Sequence, residues 1–343
     1  MRAIAYRQPG PIDRDEALVE IEMPRPVPTG RDILVAVRAI SVNPVDAKVR
    51  AGAAPFDGRD ERILGWDAAG VVEAVGPEAT RFKVGDEVFY AGDLMRDGSN
   101  AEYQLVDERI VGHRPRSVGF AEAAALPLTA ITAWETLFDR LKVDDQPAGG
   151  ARVVLIIGGA GGVGSAAIQI ARARTDLTVI ATASRAETQE WVRDLGAHHV
   201  IDHSQPMAPQ IAALEIGAPA FVFSTTHTDR HLADIAELIA PQGRFALIDD
   251  PASLDIVAFK RKAVSVHWEL MFTRSLFDTP DVGEQGRLLD AVAELVDERR
   301  IRTTATETLS PINSANLIEA HRRIESTTTR GKIVLEGWDS QQA

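Results

Sequence analysis

Residues 158–164 read GGAGGVG, set between the apolar run VVLII and the segment SAAIQIARA. Gly159, Gly161 and Gly164 have the GxGxxG spacing, and Gly158, Gly161 and Gly164 also satisfy GxxGxxG. Glycine at the first positions lets a backbone turn sharply and approach a pyrophosphate. At the last position it lets a helix lie close to its strand. The expected phosphate cradle is Gly159, Ala160, Gly161, Gly162, Val163 and Gly164, with a helix starting at Ser165. The amides and dipole of that helix would face the phosphates. A lone GxGxxG is weak evidence. A buried strand before it, a helix after it and a further strand beyond make it specific.

The tip of the second strand selects the nucleotide. LTVIATAS ends in Ser184 and Arg185, with no acid at the tip. A hydroxyl and a guanidinium suit the 2′-phosphate of NADPH, whereas NAD sites place Asp or Glu there. Glu187, two residues on, is the competing ribose ligand, with Arg185 then an ordinary solvated residue. Ser224 closes the strand FVFSTT and Asp249 closes GRFALIDD. Both fall at carboxyl edges of strands, where ligands of parallel sheets bind. Lys332, in RGKIVL, either reaches the pyrophosphate or is an exposed strand residue. His227 and His231, and likewise His199 and His203, are four residues apart. Neither pair has a third ligand at metal spacing, so surface or capping roles are expected.

These side chains need elements to hold them. From about 128 to 268 the chain alternates apolar strands with helical patterns, the rhythm of βαβ units on a parallel sheet. Residues 1 to about 125 are short β-like runs such as ILVAVRAISVN, AAGVVEAVG and DEVFYAG, separated by Gly and Pro. The last part returns to helices and the short strand GKIVLEG. No linker rich in Gly and Ser divides these regions, so continuous helices are expected to join them, one running through AEAAALPLTAITAWETLFDRL.

The chain resembles the medium-chain dehydrogenase/reductase superfamily, in its zinc-independent quinone oxidoreductase branch, among proteins called zinc-type alcohol dehydrogenase-like. The resemblance rests on SVNPVDAKVRAG (41–52), LGWDAAGVVEAVG (64–76), FKVGDEVFYAG (82–92), AAALPLTAITAWETL (123–137), the glycine loop, LGAHHVID (195–202) and RGKIVLEG (330–337). It implies an α/β fold: a Rossmann doubly wound parallel sheet over 128–269, and a β-rich GroES-like catalytic domain from 1–127 and 270–343. Zinc members carry Cys where this chain has Asn43, and Gly-His-Glu where it has Gly65-Trp66-Asp67. They also carry a four-cysteine lobe, whereas this chain has no cysteine. No metal site is therefore expected, since catalytic zinc needs three protein ligands.

The activity implied is NADPH-dependent hydride transfer to a quinone or enone in a cleft between the domains. Alternatives are an enoyl or alkenal double-bond reductase and a nucleotide-binding protein with little turnover. The resemblance places Asn43 and Asp46 at the cleft. The Asn43 amide could donate to a developing oxyanion, a contact worth about 2–4 kcal/mol when preorganised, with Asp46 orienting it or Lys48. Otherwise both simply close a turn around Pro44. Trp66 would wall the acceptor pocket or pack as a core residue. Phe272 would form the far wall, and Tyr90 could point to the cleft. Thr129 matches a position near the nicotinamide and His203 one beside the adenosine phosphate. No residue stands out as a general acid, and water can serve a quinone.

Composition sets the remaining expectations. A net charge of −13 disfavours nucleic acid and anionic membrane surfaces. No apolar run approaches the roughly 20 residues that span a bilayer, and MRAIAYRQPG lacks a signal-peptide core. A cytoplasmic location is expected. VSVHWEL (264–270) reads as an edge strand able to pair with its twin, giving a homodimer; a monomer with a covered edge is the alternative.

Overall fold

The computed structural model describes residues 1–339. Its contacts divide the chain into two units, one of Thr129–Met271 and one of Met1–Leu128 with the chain from Phe272 onward.

The unit Thr129–Met271 is a six-stranded, all-parallel sheet. In chain order its strands are Ala151–Ile157, Thr178–Thr182, His199–Ile201, Pro219–Ser224, Arg244–Leu247 and Ser265–Trp268. Across the sheet they lie in the order 3-2-1-4-5-6, the doubly wound arrangement whose ligands bind where the order reverses. That reversal falls between Ala151–Ile157 and Pro219–Ser224, which are neighbours. Alternate residues explain the layering. Val153, Leu155 and Ile157 join one core with Ile180, Val222, Ile235, Phe245 and Leu247, while Val154 and Ile156 on the opposite face are equally buried. A strand covered on both sides must be apolar throughout, and burial of each such side chain contributes about 1.5–3 kcal/mol.

The other unit is β-rich. A seven-stranded sheet runs in the order Ala305–Leu309, Lys332–Glu336, Asp32–Ser41, Ala68–Val75, Glu87–Tyr90, Val111–His113, and Tyr103–Asp107 also pairs with Asp32–Ser41. A three-stranded sheet of Val19–Glu22, Arg2–Tyr6 and Arg62–Ile63 adjoins it in sequence. Register brings three distant segments together. Ile40 faces Ala68, Ser41 faces Val334, and Ser41 donates its amide to Asp67 at 3.3 Å.

Two local expectations are corrected. The segment 121–141 is three pieces rather than one helix: Phe120–Ala124, Pro127–Trp134 and a π-helical turn, Glu135–Arg140. Pro127 has no N–H to continue the preceding helix and restricts Leu126 before it. The helix after the glycine loop starts at Gly162, not Ser165. Among the described residues no helix is long and apolar enough to cross a membrane.

Candidate functional site

In the parallel-sheet unit the glycine loop follows the first strand directly. Gly158 has φ +79°, and a Cβ there would lie 2.4 Å from Thr225 Oγ1. A Cβ at Gly164 would meet Gly158 O at 2.3 Å, and one at Gly159 would meet the Ala181 Cβ at 2.9 Å. These glycines are required by the protein's own packing. Gly161 is different: its φ is −71°, and an added Cβ would touch only Gly158 O at 3.6 Å. Its missing side chain leaves open the approach to the first turn of Gly162–Arg174, which has no side-chain cap. Such a turn presents amides to an anion. The residues present therefore fit a dinucleotide pyrophosphate.

Threonines that sequence reasoning missed fix this loop. Thr182 Oγ1 accepts the Gly158 amide at 3.0 Å and lies 2.9 Å from His203 Nδ1. Thr225 Oγ1 donates to Ile157 O at 2.8 Å. The signal was available, since Thr182 ends one buried strand beside the loop and Thr225 directly follows another. His203 packs edge-on against His231, with ring centroids 5.9 Å apart, and burial holds both imidazoles below their usual pKa. His203 thus reaches the loop through Thr182.

Ser184 is exposed at the tip of the second strand. Arg185 is half-exposed, with its guanidinium 3.6 Å from Glu187, so both candidates for the ribose end stand side by side. Ser224 and Asp249 are brought together by Thr228. Ser224 Oγ is 2.7 Å from Thr228 Oγ1, while the Thr228 amide donates to Asp249 at 2.8 Å and its hydroxyl donates to the same carboxylate. Asp249 therefore anchors the start of helix Thr228–Leu238. Thr129 is buried at the start of this unit.

The β-rich unit gathers a second polar centre. Asp67 Oδ2 accepts from Ser41 Oγ at 2.8 Å, Asn43 Nδ2 at 2.8 Å and Lys332 Nζ at 3.0 Å. Its Oδ1 accepts the Leu128 amide at 2.7 Å. Lys332 also donates to Val42 O at 2.9 Å and to Asn43 Oδ1. Lys332 is 2% exposed and Asp67 0%. The sequence placed Lys332 at the pyrophosphate or exposed on its strand. Instead its three N–H groups have acceptors inside this unit, because a lysine in an apolar strand needs a buried counter-charge.

Asn43 is likewise corrected as an outward donor. It is 1% exposed, and its amide donates to Asp67 and, at 3.4 Å, to Trp66 O. Asp46 accepts the Asn43 backbone amide at 2.8 Å and so starts the helix Pro44–Gly52. Burial pushes the Asp46 carboxyl up to about 7, against the lowering pull of the Asn43 amide and Lys332. Trp66 takes its core reading: it is fully buried, donates to Asp93 O at 3.2 Å and meets Phe272 edge-on at 6.2 Å. Phe272 and Tyr90 are buried too. The Tyr90 hydroxyl has no partner among the described residues, and burial drives its pKa up.

Residues 29–135 match the alcohol dehydrogenase GroES-like domain, and residues 195–335 match the zinc-binding dehydrogenase family. The chain is 40% identical over 337 residues to a zinc-type alcohol dehydrogenase-like protein of Staphylococcus aureus (strain MSSA476), covering 98% of this chain and 99% of that one. This chain belongs to the medium-chain dehydrogenase/reductase superfamily. A crystal structure from Rhizobium etli CFN 42, named after the zinc-dependent alcohol dehydrogenases, shares 64% identity with this reductase-family chain. It superposes with a TM-score of 0.98 over 99% of both chains. The quinone oxidoreductase of Pseudomonas syringae pv. Tomato DC3000 is 26% identical, with a TM-score of 0.81 over 98% of this chain and 99% of that one.

Zinc is named in three of these relationships, and the side chains of this family member at the corresponding positions do not fit it. Asn43 offers an amide, Trp66 an indole, and Asp67 a carboxylate already neutralised by Lys332. Among the described residues no group of three or more His, Cys, Asp or Glu is placed to hold a metal ion.

Proposed function

We propose that this medium-chain oxidoreductase is an NADPH-dependent, zinc-independent reductase that passes hydride to quinones or other conjugated carbonyls. The observation that carries the reading is the open first turn at Gly161 together with Ser184 and Arg185 at the second strand tip. The nucleotide, once bound, supplies the hydride. The amides of Gly162, Val163 and Gly164 hold its pyrophosphate, those of Gly159 and Gly161 being given to Thr182 O and Gly158 O, and Ser184 and Arg185 hold its 2′-phosphate. Thr182 and Thr225 keep the loop in shape through Gly158 and Ile157. Asn43 and Asp46 are positioning residues: one braces Asp67, the other starts the helix that follows. Water supplies the proton to a reduced quinone.

In this reading Thr129–Met271 is the nucleotide-binding domain and the rest of the chain the catalytic one. The strand Ser265–Trp268 ends its sheet and carries Trp268, 55% exposed, which supports pairing of two copies along that edge. A concentration-independent monomer mass by light scattering would reject the dimer.

The test is steady-state NADPH oxidation against a panel of quinones and enones. Turnover with quinones is expected. Oxidation by enones alone would make the protein a double-bond reductase. Tight NADPH binding without oxidation by any acceptor would leave a nucleotide-binding protein.

A further inference from the structure

Four arginines that the reaction leaves unused share one cavity in the β-rich unit. Arg31, Arg81, Arg109 and Arg287, with Pro280, Val282 and Gly283, line a space of about 370 Å³. No carboxylate lines it. Carboxylates brace each guanidinium: Glu108 holds Arg31 at 3.2 Å, Asp290 holds Arg81 at 2.9 Å, and Asp107 and Asp278, which with Asp93 line an adjoining cavity, hold Arg109 at 2.8 and 3.0 Å. Glu284 holds Arg287. Glu108 is itself buried and fixed by the amides of Thr80 and Arg81, at 2.7 and 2.6 Å.

The bracing is specific in shape. Arg81 donates to the carbonyls of Glu108 and Arg109 at 3.1 and 3.3 Å. It can lie there because residue 286 is glycine; a Cβ would fall 2.0 Å from Arg81 Nη1. Even so, Nε and Nη2 of Arg31, Nη1 of Arg109 and Nη1 of Arg287 have no acceptor among the described residues. Gly283 starts the fourteen-residue helix Glu284–Asp297, whose dipole adds positive potential at the same wall.

The chemistry of the occupant follows. On a chain of net charge −13, the free N–H groups of ion-paired guanidiniums around one concavity suit a compact anion and not an extended polyanion, which the rest of the surface repels. Guanidinium forks match the equivalent oxygens of phosphate. A second cavity of about 150 Å³ shares Arg109 and Val282 with the first. Gln104 lines it, is 4% exposed, and its Oε1 has no hydrogen-bond partner among the described residues. An orphaned buried acceptor is costly unless a donor reaches it.

We infer that this double cavity binds a phosphate-bearing small molecule, its phosphate on Arg31, Arg81, Arg109 and Arg287 and a hydroxyl or amine donating to Gln104. Calorimetric titration of the full chain with glycerol 3-phosphate at low ionic strength tests it. One site per chain is expected. Arg31→Ala combined with Arg287→Ala, both at exposed positions, should weaken binding roughly tenfold or more. Glu284→Gln, which frees Arg287 from its carboxylate, should strengthen it. Arg322→Ala, an exposed arginine that does not line the cavity, should leave it unchanged. Absence of binding by the unaltered protein, or equal affinity in the double arginine variant, would overturn the inference.

Discussion

Around Asp67, four donors converge on one buried carboxylate, and the Lys332 ammonium has three acceptors of its own. Around Gly161, the first helical turn carries no side-chain cap and, among the described residues, no atom crowds the glycine hydrogen. One centre is closed on itself; the other presents backbone donors that no side chain caps among the described residues. The difference separates two uses of polarity in this family member. Internal pairing fixes the ends of three strands, whereas unpaired backbone donors make a binding surface.

The closed centre should break most expensively. Lys332→Met leaves a buried, unpaired carboxylate and should cost about 3–5 kcal/mol of stability, measured by urea unfolding. Adding Asp67→Asn should recover part of the loss. If the single change costs nothing, the centre is not a closed ion pair.

Asp46 gives the next effect, through pH. Its folded carboxyl sits at about 7 against 3.8 for the unfolded group, so the folded state holds the proton more tightly. The stability it contributes is complete below about pH 4 and is lost as pH rises through 7, a change on the order of 2–4 kcal/mol. Asp46→Asn should flatten the fall in thermal midpoint between pH 4 and 7. An unchanged slope would place the carboxyl in a wetter setting.

The open centre is sharpened by a pair of glycine changes. Gly164→Ala forces a Cβ onto Gly158 O and should destabilise by about 1–3 kcal/mol. Gly161→Ala should cost less than about 1 kcal/mol yet weaken NADPH binding. Equal stability losses would mean that both glycines serve packing alone. The smallest effect is at the strand tip, where Arg185→Ala should reduce the preference for NADPH over NADH roughly tenfold, given its half-exposed setting. If the ratio holds, Glu187 becomes the ribose ligand.

The open centre was legible in the sequence because its signal is local. Seven consecutive residues after an apolar strand describe the loop, and strand rhythm alone gave the parallel unit. The closed centre was not. Its members lie at positions 41, 43, 67, 128 and 332, and only strand register brings them together. Lys332 within KIVL did carry a hint, since an ammonium among apolar strand residues demands a partner, but nothing local names Asp67. Trp66, left open between pocket wall and core, and Phe272, read as a wall, could not be sorted from sequence for a related reason: an aromatic that walls a pocket and one that fills a core look alike until burial is known. The break at Pro127 was readable from proline's chemistry, yet the long apolar pattern masked it.

The partner of Asp67 is encoded 265 residues later. At typical synthesis rates, about 5–20 residues per second, that carboxylate exists for tens of seconds before its cation leaves the ribosome. The βαβ unit lies wholly within that interval, and among the described residues each of its strands pairs only with strands of its own unit. Translation order thus favours an assembly in which the middle of the polypeptide matures first and the two outer segments close together last.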